Sequence, residues 1–137
     1  MEIFLDVIKN KYAQFDGRAR RKEYWYFILF YYLIALILYI PMMLGVVLEN
    51  NALILIGTII IFVYALGLVV PSLAVFVRRL HDIDKSGWFI FLSLIPLIGA
   101  IILLVFLFTE GTRGPNKYGE DPKGTNELDL LGQKDLV

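Results

Sequence analysis

The residues of this chain that could do chemistry stand in two short charged clusters. The first is Arg18-Ala19-Arg20-Arg21-Lys22-Glu23 and the second is Arg78-Arg79-Leu80-His81-Asp82-Ile83-Asp84-Lys85. A guanidinium binds phosphate or carboxylate through two parallel hydrogen bonds. Arg18, Arg20, Arg21, Arg78 and Arg79, with Lys85, are therefore candidate ligands for an anionic group, and lipid headgroups are the nearest phosphates. If the second cluster continues a helix, Arg78 and Asp82 stand at i, i+4 and Arg79 and Asp82 at i, i+3. One arginine then pairs with Asp82 and the other is left for a ligand. His81, whose ring titrates near neutral pH, completes the candidate surface.

Stronger chemistry is not supported by these residue types. His81 is the only histidine, and the spacing of His81, Asp82 and Asp84 is not that of a metal site. The chain has no cysteine, which excludes disulfides, thiolate metal sites and thiol nucleophiles. A phosphodiesterase or transferase wants a paired acid and base or several metal ligands. No catalytic residue, metal or cofactor is assigned, and a non-enzymatic protein is expected. The plainest use of the two clusters is to anchor helix ends and set topology.

The elements that must position these clusters are apolar. Tyr24–Leu48, Ala52–Val77 and Trp88–Phe108 contain no Asp, Glu, Lys, Arg or His, and run for 25, 26 and 21 residues. A spanning helix needs about 20 apolar residues to cross roughly 30 Å of hydrocarbon. The fold class expected is an all-α membrane protein with three transmembrane helices and an N-terminal amphipathic interfacial helix. That first helix is read over residues 2–15, where Ile3, Phe4, Val7, Ile8, Tyr12 and Phe15 fall near one face. Tyr24-Trp25-Tyr26 and Trp88 suit headgroup depth. Pro41 should kink or end the first span, and Pro71, with Gly67 four residues back, should kink the second. Glu49-Asn50-Asn51 makes those two spans an antiparallel hairpin. Ile95-Pro96-Leu97-Ile98-Gly99 interrupts the third run, as a kink or as the turn of a re-entrant hairpin. Residues 1–122 are expected to form one membrane domain, and 123–137 a disordered tail. The first apolar run comes late and is too long for a signal peptide, so it reads as an uncleaved membrane segment.

Counting Lys and Arg orients the chain. Six precede the first span, none lies in the first loop, three lie in the second loop and four in the tail. With three crossings, the positive-inside rule puts the N-terminus and second loop in the cytoplasm and the tail outside. With a re-entrant third segment, all thirteen share one side. Either way the two charged clusters share a membrane face. The net charge of zero implies no nucleic-acid partner.

Four motifs in this order resemble a bacterial membrane family, domain of unknown function 805. They are Phe15-Asp16-Gly17-Arg18-Ala19-Arg20-Arg21-Lys22-Glu23-Tyr24-Trp25; Pro71 through Arg78-Arg79-Leu80-His81-Asp82 and Lys85-Ser86-Gly87-Trp88; Ile95-Pro96-Leu97-Ile98-Gly99; and Gly114-Pro115-Asn116-Lys117-Tyr118-Gly119-Glu120-Asp121-Pro122. The resemblance covers roughly residues 12–122. It implies a small bacterial inner-membrane protein and carries no catalytic residues, because the family has no established activity.

The expectation from these observations is a multi-pass inner-membrane module with a cytoplasmic N-terminus. Its Arg/His/Asp surface would bind lipid headgroups, anionic ones among them, or a partner protein. It would pack into a homo-oligomer or against a larger membrane partner, since lipid supplies no hydrophobic drive for helix association. The alternatives are an oligomeric small channel or transporter with its pore near Pro71 and Pro96, and, more remotely, a lipid-modifying enzyme using His81 and Asp82. The spans hold no ionisable group, which argues against a proton-coupled pump.

Overall fold

The computed structural model describes residues 1–124. The chain order is α1 (Glu2–Asn10), α2 (Arg21–Leu38), α3 (Ile40–Val47), α4 (Asn51–Asp82), a 3-10 helix (Gly87–Leu94) and α5 (Ile98–Phe108). Two helical stretches are long and apolar enough to cross a bilayer: Arg21–Val47, which is α2 and α3 in series, and Asn51–Asp82. Residues 125–137 of the tail, expected to be disordered, lie outside the described residues.

Pro41 acts as expected. It sits in the first turn of α3, where its missing N–H costs nothing, and α2 ends at Leu38 just before it. The turn to α4 is also short, three residues from Leu48 to Asn50. Glu49 adopts a left-handed φ of 51°. Asn50 then caps α4, its Oδ1 accepting from the N–H groups of Ala52 at 3.0 Å and Leu53 at 3.2 Å. The α3–α4 hairpin closes tightly because two glycines face backbone: a Cβ at Gly45 would meet Ile54, and one at Gly57 would meet Met42.

Pro71 does not end α4, which runs on for 32 residues to Asp82. Pro71 has no N–H to offer the Gly67 carbonyl. The Tyr12 hydroxyl donates to that carbonyl instead, at 2.5 Å. The helix is about 48 Å long at ~1.5 Å per residue, more than the roughly 30 Å of a bilayer core.

One boundary is corrected and one open alternative gains detail. The N-terminal helix ends at Asn10, not near residue 15; a turn follows, and Gly17 carries a φ of 87°. Its apolar face packs on α2, with the Phe4 ring 5.2 Å from that of Phe27. The run 88–108 is interrupted at the Ile95–Gly99 motif, as expected. It breaks at Ile95–Leu97, where Leu97 is left-handed with φ 64°, into the 3-10 helix and α5. The two arms lie against each other: a Cβ at Gly99 would overlap the Leu92 carbonyl. The 3-10 helix begins five residues after Asp82, and α5 ends back beside Arg79, whose guanidinium bonds the Leu107 carbonyl.

The packed core therefore gathers at one end of the molecule. Phe4 and Val7 of α1, Phe27 of α2, Leu68 and Val75 of α4 and Leu107 of α5 are buried together. The opposite ends of the long helices stay uncovered; Leu36, Val47, Leu55 and Phe62 are exposed.

Candidate functional site

The site is built where α4 ends. Asp82, its last residue, receives two arginines, one on each carboxylate oxygen. Arg79 lies one turn back on the same helix and reaches Oδ2 through Nη1 at 2.6 Å. Arg18 comes from the loop before α2 and reaches Oδ1 through Nε at 3.0 Å. The three side chains are 0%, 1% and 6% exposed, in the order Arg79, Arg18, Asp82. Such a charged group is tolerable away from water only when every charge is paired and hydrogen-bonded.

The remaining arginine donors meet that condition on backbone carbonyls. Arg79 Nε and Nη2 both donate to the Leu107 carbonyl at 3.2 Å, and Nη2 also reaches that of Thr109. Arg18 Nη2 donates to the Thr112 carbonyl at 2.5 Å, and Nη1 to that of Gly114 at 2.7 Å. The Thr112 N–H returns a bond to the Asp82 carbonyl at 2.7 Å. The last carbonyls of a helix have no partner within it and carry partial negative charge, so the end of α5 is a natural seat for Arg79. Gly111 leaves the space: a Cβ there would overlap the Asp82 carboxylate.

Arg78 serves a second network. Its Nη1 donates to Glu23 Oε1 at 2.6 Å, and Lys11 bridges Glu23 at 3.4 Å and Asp6 at 2.9 Å. This ties α1, α2 and α4 together, and the Ala19 N–H donates to the Arg78 carbonyl at 2.9 Å. Nε and Nη2 of Arg78 are buried with no hydrogen-bond partner. Of the two arginines expected to divide between Asp82 and a ligand, Arg79 takes Asp82, joined there by Arg18, and Arg78 is held by Glu23.

His81 stands next to both networks. Its Nδ1 lies 3.1 Å from the Gly17 carbonyl, its ring stacks on Tyr118 with centroids 3.8 Å apart, and its own carbonyl accepts from Asn116 Nδ2 at 2.9 Å. The tail turn that presents Tyr118 is pinned by Asp121, which accepts from the N–H groups of Gly114 at 3.0 Å and Lys123 at 2.9 Å. Slight burial, the largest single influence, pushes the Asp121 carboxyl up. The two N–H donors and the charges of Arg18 and Arg113 outweigh it and hold the group below the ordinary carboxylate range.

Of the sequence-derived candidates, the fold brings Arg18, Arg79 and Asp82 into one buried layer and sets Arg78 and His81 against it. Arg20 is half-buried, while Arg21 and Lys85 are exposed. Arg21 Nη1 donates to the Phe108 carbonyl at 3.2 Å, and the Lys85 ammonium lies 5.8 Å from the centre of the Phe106 ring. Glu23, Asn116 and Tyr118, which stood in the quoted motifs without a role, and Gly111, which stood in none, also belong to the site. Only the need of a buried arginine for an acid pointed toward Glu23. Among the described residues no three His, Asp or Glu side chains stand together as a metal ion would require.

Known proteins bear on this arrangement. The chain is 45% identical over 128 residues to the inner membrane protein YhaI of Escherichia coli K12, which covers 92% of this chain and 100% of that protein. It is 44% identical over 124 residues to the inner membrane protein YhaH of the same strain, covering 90% and 98%. No solved structure matches. The family described as "Protein of unknown function (DUF805)" matches residues 12–120, which hold both charged clusters and the tail turn. With that match and relatives covered almost end to end, the chain belongs to the DUF805 family, in company with inner membrane proteins.

Proposed function

We propose that this protein is a non-enzymatic module of the bacterial inner membrane that holds phospholipid headgroups on its cytoplasmic face. In this reading Arg21–Val47 and Asn51–Asp82 cross the bilayer, α1 lies at the interface, and the segment Gly87–Phe108 enters and leaves on one side. The observation that carries it is the bond from Arg79 to the Leu107 carbonyl. It brings the end of the third apolar segment back to the level at which α4 stopped. The N-terminal segment, the second loop and the tail then share a side. All twelve Lys and Arg among the described residues fall there and none at the Glu49–Asn51 turn, which favours a cytoplasmic placement.

The buried Arg18–Asp82–Arg79 layer supports a structural role at headgroup depth. It locks the hairpin and tail to α4 and leaves Arg20, Arg21 and Lys85 around its edge. These are among the cations available to lipid phosphate. Asp82, engaged by two guanidiniums, is poorly placed to act as a general base, which favours the non-enzymatic reading.

Two measurements test it. A reporter fused after Val137 should give a cytoplasmic signal; a periplasmic one would return the third segment to a full crossing. Phospholipid retained by detergent-purified protein should fall when Arg20, Arg21 and Lys85 are changed together to Gln. Retention equal to the parent would overturn the headgroup role.

A further inference from the structure

A cleft of about 500 Å³ separates α4 from the 3-10 helix. That volume lies within the usual range for small-ligand sites, roughly 300–1,000 Å³. Its α4 wall is Leu73, Val77 and His81, and its facing wall includes Ser86, Trp88 and Phe91. The α4 residues stand at i, i+4 and i+8, so the wall runs about 12 Å along the helix at ~1.5 Å per residue. Its polarity changes once along that length, from His81 and Ser86 at the charged layer to hydrocarbon at Leu73 and Phe91. A bilayer lipid has the same gradient in the same direction.

The polar end has a definite hydrogen-bonding character. The Gly17 carbonyl can only accept, so Nδ1 of His81 carries the proton, and in the neutral ring Nε2 is left as an acceptor. Ser86 Oγ accepts from the Trp88 N–H at 3.3 Å, which leaves its own hydrogen to donate. Charges of both signs neighbour the lining in the chain. Asp16 follows Phe15, which lines the cleft, Lys117 precedes Tyr118, which stacks on the His81 ring, and Lys85 precedes Ser86. An acceptor with a carboxylate suits an ammonium that has N–H groups; a hydroxyl with lysines suits a phosphate.

We propose that this cleft binds one zwitterionic phospholipid with a phosphoethanolamine head, its chain along Leu73 and Val77 and its head between His81 and Ser86. A phosphocholine head has equal charge but no N–H to give His81. A phosphoglycerol head has no cation for Asp16. The inference rests on the membrane placement proposed above but on different residues from the Arg20, Arg21 and Lys85 edge.

Trp88 supplies the probe. The chain has two tryptophans, and Trp25→Phe keeps an aromatic ring against Phe108 while removing a buried indole N–H that has no partner. The Trp25→Phe protein is reconstituted in phosphatidylcholine vesicles that contain a minor, equal share of chain-brominated phosphatidylethanolamine, phosphatidylcholine or phosphatidylglycerol. Bromine quenches tryptophan on contact. Brominated phosphatidylethanolamine should quench Trp88 severalfold more than either other lipid, and His81→Gln with Ser86→Ala should abolish the excess. Equal quenching by all three would mean ordinary annular lipid and overturn the proposal, as would stronger quenching by phosphatidylglycerol. If the double variant fails to fold, the comparison of the three lipids on the parent and on Ser86→Ala alone decides. Loss of the ethanolamine preference with intact Arg20/Arg21/Lys85-dependent retention would sink this inference and leave the headgroup role standing.

Discussion

Arg18 and Asp82 lie 64 positions apart in the chain, yet the Arg18 guanidinium sits 3.0 Å from the Asp82 carboxylate with both side chains buried. The loop before the first long helix is thereby bonded to the end of the second. The same arginine goes on to the carbonyls of Thr112 and Gly114. One side chain holds three separate segments at one level, so its loss should be felt in all of them.

Asp82→Asn should be among the most damaging single substitutions in this protein. It leaves Arg18 and Arg79 buried without a counter-charge, a change that costs about 3–5 kcal/mol when one partner of a buried pair is removed. Thermal unfolding in detergent, followed by circular dichroism, should show a large drop. Arg18→Met should be similarly harmful alone, and the double variant should lose much less than the sum of the two. Additive losses would mean that the pair does not couple.

Gly111→Ala should loosen the tail without disturbing the α3–α4 hairpin. The added methyl would overlap the Asp82 carboxylate. Amide exchange should speed up at Thr112 and Gly114 and stay slow within α4. Gly114→Ala faces open space and is strained only by its φ of 73°, so it should do less harm. A stronger effect at Gly114 than at Gly111 would contradict this packing.

Gly57→Leu should open the hairpin, because the new side chain would strike the backbone of Met42. Gly67→Ala on the same helix meets nothing within 4 Å and should be nearly neutral. Engineered cysteines at Met42 and Thr58 would report the separation of α3 and α4 by crosslinking yield. Equal yields in Gly57→Leu and Gly67→Ala would show that the close approach is not needed.

Tyr12→Phe should cost about 1 kcal/mol, the usual worth of one hydrogen bond, because the Gly67 carbonyl freed by Pro71 loses its donor. In a Pro71→Ala background the helix regains an N–H for that carbonyl. Tyr12→Phe should then cost less, and an unchanged penalty would show that the hydroxyl acts elsewhere.

Acid should release the tail turn. The Asp121 carboxyl is held below its ordinary value, so its contribution is fully present above the unfolded value of about 3.9. It is lost as pH falls through the lower folded one. The Gly114 amide resonance should shift only in that acid range, and Asp121→Asn should remove the shift. A Gly114 shift centred above the ordinary carboxylate value would reverse the sign assigned here.

Much of the fold was legible because its signals are local. Apolar runs longer than a bilayer core, the break at Pro41 and the Glu49–Asn51 turn follow from residue type within a few positions. At Pro71 the sequence showed that the Gly67 carbonyl loses its helical donor, but not that a distant tyrosine supplies another. The end of α1 was placed too late because Tyr12 and Phe15 continue the apolar spacing past the point where the helix stops. At 88–108, hydropathy measures how apolar a segment is and not whether it doubles back. Pro96 marked the break, but only the packing of Gly99 on Leu92 and the hold of Arg79 on Leu107 close the hairpin.

The sequence by itself determined that the long helices are apolar and capped by charge, and that the two basic clusters lie at one end of the hairpin. Those conclusions need only the length of apolar runs and the parity of turns. The tertiary structure alone decided which acid each arginine meets. Arg78 and Arg79 are adjacent in the chain, but successive helix positions point about 100° apart, at 3.6 residues per turn. One therefore turns to Glu23 and the other to Asp82, and Arg18 arrives from a loop that no local rule connects to either.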